Sequence, residues 1–260
     1  MGLILGDQIL IYIFIFVFGA AFGSFLNVCI YRIPRKESIV FPSSHCPICK
    51  VKIKPINNIP IISFILLKGK CKNCNTCIHW HYLLIEILTP LLFFFLFLRF
   101  GNRFSIIFIK YIIFFSIGLI IFFVDLFHKI IPDVLSLPLI PIGIILSFFT
   151  LIDVSFKSSI TGAIFGFMVF FCVASLYNII TKSESLGGGD IKFIAGIGAF
   201  VGFYGIIFTI LFSSIIAIII LLIVKYDIKK EFQFGPFLVF GSFIYIIFGE
   251  YIINLYLSFI

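Results

Sequence analysis

Residues 105–133 read SIIFIKYIIFFSIGLIIFFVDLFHKIIPD, a run that is apolar from 105 to 124 apart from Lys110 and then stops on Asp125. Twenty residues in helical conformation cover about 30 Å, the thickness of a bilayer's hydrocarbon core. Runs of the same character recur at about 8–31, 82–98, 134–152, 158–180 and 236–257. A further run, 191–224, is too long for one ordinary span and carries Gly196, Gly198, Gly202 and Gly205, so it is expected to split near Gly202–Gly205 into a short helix and a full one. The whole chain is 62% hydrophobic and only 12% charged. A soluble domain of 260 residues could not hide that much apolar surface beneath a polar coat. The predicted fold class is therefore an all-α polytopic membrane protein of about eight transmembrane helices with a small zinc-binding cytoplasmic insert. It divides into a first transmembrane helix (1–31), a loop domain (32–80) and a transmembrane remainder (81–260) that carries the candidate catalytic residues.

The net charge of +8 invites a nucleic-acid reading, but the placement of the charges removes it. Nine basic residues, from Arg32 to Lys72, fall in the single polar loop 32–80. Lys and Arg accumulate on the cytoplasmic side of membrane proteins. With that loop inside, segments 125–133, 181–192 and 225–235 also fall inside, and fifteen of the nineteen basic residues are cytoplasmic. Arg99, Arg103, Lys110 and Lys157 remain outside, as does the N-terminus. The first span has Asp7 in place of a basic leader region and is too long for a signal-peptide core, so it is expected to be retained. No internal repeat stands out.

Four of the seven cysteines form two pairs, Cys46-Pro47-Ile48-Cys49 and Cys71-Lys72-Asn73-Cys74, with 21 residues between them. Each pair makes a tight knuckle whose thiolates point at one ion, and two knuckles complete a tetrahedral all-sulfur Zn²⁺ site. Such a site has no open coordination position, so its expected role is to fold a loop with little core of its own. Cys77, His45 and His79 are competing ligands by proximity, though both pairs are complete without them. Cys29 and Cys172 lie in spans and read as small apolar fillers.

Two carboxylates lie against apolar spans at the same face. Asp125 ends the third span, and Asp190 follows Gly187-Gly188-Gly189 and opens the short sixth one. Two carboxyls in a poorly hydrated site do not both ionise, so one can activate water while the other polarises a peptide carbonyl. Each acid alone also has an ordinary reading: Asp125 as an interfacial cap or partner of Lys129, Asp190 as a helix N-cap behind a flexible loop. Asp133, after Ile131-Pro132, is expected to cap the next helix. Glu86, one turn into the second span, needs a partner, with His79, His81 and Arg32 as candidates.

Together these residues resemble the type IV prepilin peptidase family. Gly23-Ser24-Phe25-Leu26-Asn27-Val28 with Tyr31-Arg32-Ile33-Pro34 is similar to its N-terminal signature, and the cysteine pairs sit where its zinc-binding loop sits. Tyr82 to Glu86 resembles its re-entry segment, and Asp125 with Ile131-Pro132-Asp133 its first aspartate motif. Gly187-Gly188-Gly189-Asp190-Ile191-Lys192 resembles its G-x-G-D motif, and Phe234-Gly235-Pro236-Phe237 a late family element. The resemblance implies Asp125 and Asp190 as the catalytic pair, supported by Gly187, Gly188, Gly189 and Lys192. It implies prepilin and pseudopilin substrates of pilus or type II secretion systems, cut after a short basic leader ending in glycine at the bacterial inner membrane. The zinc loop accompanies members that also methylate the new N-terminus with S-adenosylmethionine, which brings in Gly23, Asn27, Arg32 and Glu86 as substrate or methylation residues. The rival classes are a carboxylate-using membrane transporter with a structural zinc loop and a non-catalytic zinc-organised scaffold.

Overall fold

The computed structural model describes residues 2–100, 104–150, 153–181, 187–224 and 232–257. Among them there are eight α-helices and no β-strand: α1 (Gly2–Arg32), the short α2 (Ile62–Leu66), α3 (His81–Arg99), α4 (Ile106–His128), α5 (Asp133–Phe149), α6 (Phe156–Thr181), α7 (Gly188–Val224) and α8 (Gly235–Leu257). Five of them are long and apolar enough to cross a membrane, and α5 and the 235–249 part of α8 add shorter apolar helices. Arg103, Lys182, Lys225, Lys229 and Lys230, on which part of the charge argument for topology rests, lie outside the described residues.

The expected split of the long run is present. Gly202 interrupts α7 with φ 74° and ψ −175°, a conformation denied to residues with a Cβ. A helix break orphans backbone donors, and here the Ser158 hydroxyl of α6 accepts the Phe203 N–H at 3.1 Å. With α7 counted as two segments, the described residues hold eight apolar helical segments, the number read from hydropathy.

The chain separates into two compact units, 1–104 and 105–260. In the first, α1 packs on α3. A Cβ at Gly19 would stand 2.6 Å from Pro90 Cα, so the two backbones are nearly in contact. In the second, the first half of α7 is the central element, with Phe193, Ile194, Ile197 and Phe200 fully buried. It meets α6 at Gly162 and Gly198, each of which leaves no room for a side chain, and the Ser159 hydroxyl donates to the Ala199 carbonyl at 2.6 Å. Small residues and hydroxyls give this association its energy, because lipid offers no hydrophobic drive between helices. The centre so formed starts at Gly188, which places Asp190 in the first turn of α7, just ahead of its buried stretch from Phe193 to Gly202.

Candidate active site and metal centre

Asp125 occupies the last turn of α4 and is 5% exposed. The helix ends just beyond it, where Lys129 adopts the left-handed conformation and returns its N–H to the Asp125 carbonyl at 2.8 Å. The Asp125 carboxylate accepts the N–H of Gly235 through Oδ2 at 3.0 Å. Gly235 opens α8, so this donor is one of the N-terminal N–H groups that a helix cannot satisfy internally, at its positive dipole end. A carboxylate is a natural partner there.

Asp190 is not an N-cap. Its own N–H donates to the Gly187 carbonyl at 3.0 Å, which puts Gly187 at the cap and Asp190 inside the first turn. Its Oδ2 faces Gly187, and its Oδ1 is buried with no hydrogen-bond partner among the described residues.

Ile131 joins the elements that carry the two acids. A Cβ on Gly189 would stand 2.6 Å from the Ile131 carbonyl oxygen, and one on Gly235 would meet Ile131 Cδ1 at 3.3 Å. The linker after α4 is thus wedged between the start of α7 and the start of α8, and Asp125 and Asp190 lie within Coulombic reach of each other. Gly189 admits the Ile131 backbone, Gly187 backs the Asp190 carboxylate, and Gly188 faces open space. Lys192 donates to both oxygens of Asp133 at 2.8 Å, tying the second turn of α7 to the first residue of α5. Asp133 itself is the first helical residue of α5, and Pro132 takes the cap position expected for it. The role of Gly235 had a sequence signal, a Gly-Pro pair opening the last span. That of Ile131 had none.

The residues brought in for methylation lie in the first unit. Gly23 faces α3, where a Cβ would meet the Ile85 carbonyl at 3.0 Å and Glu86 Cα at 3.1 Å. Asn27, 3% exposed, donates to the Tyr82 carbonyl at 3.0 Å. Glu86 accepts the Ile61 N–H at 2.7 Å, and the Ser24 hydroxyl reaches the same carboxylate. Ile61 has φ 63°, so Glu86 holds a backbone conformation that a β-branched residue adopts only under strain. Arg32, 4% exposed, turns to the loop instead of to Glu86, and donates to the carbonyls of Ser38 (2.9 Å), Pro42 (2.7 Å) and Ser43 (3.4 Å).

The four predicted cysteines form one cluster. All of their sulfurs lie within 4.8 Å of one another, and Cys46 Sγ to Cys74 Sγ is 3.8 Å. A ZnS₄ tetrahedron with bonds of about 2.3 Å has edges of about 3.8 Å, so the donor set fits that ion. The two knuckles share one geometry. Each closes with a left-handed residue after its second cysteine, Lys50 in one and Asn75 in the other. Each is bracketed by an isolated antiparallel bridge, His45 with Lys52 and Lys70 with Cys77. Every element of the second lies 25 residues after its counterpart in the first, a local repeat not evident from the sequence. His45 and Cys77 occupy bridge positions of this pattern and stand outside the sulfur cluster. Burial pushes the Cys46 thiol up to about 11, while the Thr76 hydroxyl and backbone draw Cys74 down to about 6. Asn73 Nδ2 donates to Cys49 Sγ at 3.7 Å, a contact that orients a ligand from outside the cluster.

Residues 17–100 match the family model described as "Bacterial Peptidase A24 N-terminal domain", and residues 112–222 the one described as "Type IV leader peptidase family". The chain is 32% identical to the prepilin leader peptidase/N-methyltransferase of Dichelobacter nodosus over 94% of this chain and 93% of that one. It is 31% identical to the protein of that name from Pseudomonas aeruginosa over 93% and 91% of the two chains. With the Myxococcus xanthus protein of the same name it shares 35% identity over 77% of this chain and 59% of that one. No solved structure matches.

Proposed function

The chain belongs to the type IV leader peptidase family, and from that premise we propose that it is a membrane-embedded aspartyl endopeptidase that cuts the basic leader from type IV prepilins and related pseudopilins. Asp125 and Asp190 are its catalytic pair. The observation that carries this assignment is the meeting of the α4, α7 and α8 termini around Ile131. It puts one buried carboxylate under an N–H donor and leaves a buried oxygen of the other without a hydrogen-bond partner among the described residues.

The chemistry follows from that asymmetry. Asp125, which accepts the Gly235 N–H, is the member suited to act as the base. It takes a proton from water as the oxygen attacks the scissile carbonyl carbon. Asp190 keeps its proton and donates a hydrogen bond to the carbonyl oxygen as charge develops there. When the C–N bond breaks, a proton passes from the pair to the leaving amine, and the leader departs as a carboxylic acid. Gly187, Gly189 and Lys192 position Asp190 through the contacts described above, and Gly188 leaves the approach open. A carboxylate-using transporter is the weaker reading, since these acids sit in a last and a first helical turn and not at mid-span.

The relatives' names include N-methyltransferase, which supports a second activity here, methylation of the new N-terminus with S-adenosylmethionine as the methyl donor. Gly23, Asn27, Arg32 and Glu86 serve it as positioning residues. Cys46, Cys49, Cys71 and Cys74 hold one structural Zn²⁺ that folds loop 32–80. The basic loop supports an orientation with the N-terminus outside and the active site at the cytoplasmic face of the inner membrane. The test is leader removal from a co-expressed prepilin. Asp125→Asn and Asp190→Asn should each lower cleavage by roughly 10³-fold or more at unchanged membrane insertion; near-normal processing by either variant refutes the pair.

A further inference from the structure

Residues 55–67 read PINNIPIISFILL, a stretch without a charge, set between Lys50, Lys52 and Lys54 on one side and Lys68, Lys70 and Lys72 on the other. Glu37 and Glu86 are the nearest acidic residues in the sequence, so the chain between them carries six lysines and no carboxylate. All six lysines are exposed.

The uncharged stretch folds on a polar pin and leaves its apolar side chains outside. Ser63 of α2 is buried, and its hydroxyl donates to the Ile56 carbonyl at 3.0 Å and accepts the Ile59 N–H at 2.9 Å. Phe64 packs over Gly69, where an added Cβ would meet its ring at 3.2 Å. By contrast, Ile56, Ile62, Ile65 and Leu66 are each more than half exposed. The last three stand at i, i+3 and i+4, which is one face of α2.

The depth of this face follows from α3. That helix rises about 28 Å over its 19 residues, so it needs its whole length to cross the hydrocarbon core. Trp80, the single tryptophan of the chain, caps its start and is 60% exposed, as indole side chains are at a membrane–water interface. Glu86 follows His81 by five residues, which sets it about 8 Å further in. It accepts the Ile61 N–H at 2.7 Å and so holds the start of α2 at that depth. Interfacial helices bury their apolar face about 5–10 Å into the boundary between headgroups and acyl chains.

We propose that residues 55–67 are an interfacial anchor that seats the loop on the leaflet beside α1 and α3. Ile56, Ile62, Ile65 and Leu66 enter the acyl chains, and the flanking lysines reach back along their stems to anionic headgroups. An acidic protein would match the lysines but would not reach side chains held at the depth of Glu86 in a bilayer.

Fluorescence of the full-length protein in lipid nanodiscs tests this. Trp80→Phe removes the native tryptophan, and Leu66→Trp or Ile48→Trp in that background places one reporter on the anchor or on the first cysteine knuckle. Lipids brominated at mid-chain should quench Leu66→Trp about twofold more than Ile48→Trp, with its emission shifted to the blue. In the unaltered chain, amides 56–67 should gain protection from hydrogen exchange when phosphatidylglycerol replaces part of a phosphatidylcholine bilayer. Lys54→Gln, Lys68→Gln and Lys70→Gln together should abolish that gain. Quenching of Leu66→Trp no stronger than that of Ile48→Trp overturns the anchor and leaves the surface to a protein partner with acidic side chains. Exchange over 56–67 that is indifferent to phosphatidylglycerol overturns it as well.

Discussion

Gly235→Ala tests whether Asp125 is positioned by the start of α8. The substitution keeps the N–H that Asp125 accepts, so it changes space and not hydrogen bonding. A Cβ at residue 235 would lie 2.7 Å from Asp125 Oδ2, 3.3 Å from its Cγ and 3.3 Å from Ile131 Cδ1. Ordinary contact begins at 3.4 Å, so the carboxylate must retreat by about 0.7 Å, and Ile131 blocks one way out. A reacting group displaced by about 1 Å loses on the order of 10²-fold in rate, so a fall of roughly 10- to 100-fold in kcat is expected with KM little changed. Quantified leader removal from a purified prepilin in detergent reads the effect. Gly118→Ala is the matched control on the same pair of helices. Its Cβ would meet Val239 at an ordinary 3.5 Å, and alanine favours a helix over glycine by about 1 kcal/mol. Cleavage by Gly235→Ala within twofold of the control, in a protein of normal stability, would show that this contact does not set the position of Asp125.

Three further outcomes follow from the packing. Cys46→Ser, or any one of its three partners so changed, should drop metal content from one zinc per chain to near none, whereas Cys77→Ser should keep it; elemental analysis of purified protein reads both. Gly202→Ala should lower stability by about 1–3 kcal/mol, since it forces a positive φ on alanine and sets a Cβ 2.6 Å from Ser158 Oγ; thermal unfolding in detergent measures the loss. Two lysine–aspartate pairs, both at 2.8 Å, should behave differently when the lysine is truncated. Lys110→Ala, which removes a fully buried ammonium but leaves Asp153 the Tyr111 hydroxyl, should cost about 1.5–3 kcal/mol, and Lys192→Ala, at an exposed pair, about 0–1 kcal/mol. Equal shifts in unfolding temperature would contradict that ranking.

The parts of this protein that could be read in its sequence are those set by a single span or a single short spacing. Hydropathy placed the membrane segments because lipid demands about twenty apolar residues wherever a helix crosses. The break at Gly202 was visible because only glycine adopts its backbone there, and the four-cysteine cluster because each C-x2-C pair is complete within four residues. What could not be read are contacts whose second member is a backbone group. Asp125 meets the N–H of Gly235, 110 residues away, and Glu86 meets that of Ile61, 25 residues away. Arg32 spends three donors on loop carbonyls. Every non-proline residue carries the same N–H and every residue the same C=O, so side-chain chemistry marks one end of such a bond and nothing marks the other. Glu86 meets the Ile61 N–H and the Ser24 hydroxyl, neither of which is among the partners its sequence neighbourhood suggested.

The same limit explains why the acid pair depends on residues that carry no chemistry. Ile131 is an ordinary apolar residue, yet its carbonyl fills the space that Gly189 leaves and its side chain reaches Gly235. A bulkier residue at 189 would push this linker away from the start of α7, and one at 235 would push Asp125 itself. Each glycine thus matters for the neighbour it admits and not for flexibility. Two aspartates on helices 65 residues apart are held to one region because the chain between them is packed from both sides. Loosening either side should therefore cost activity before it costs stability.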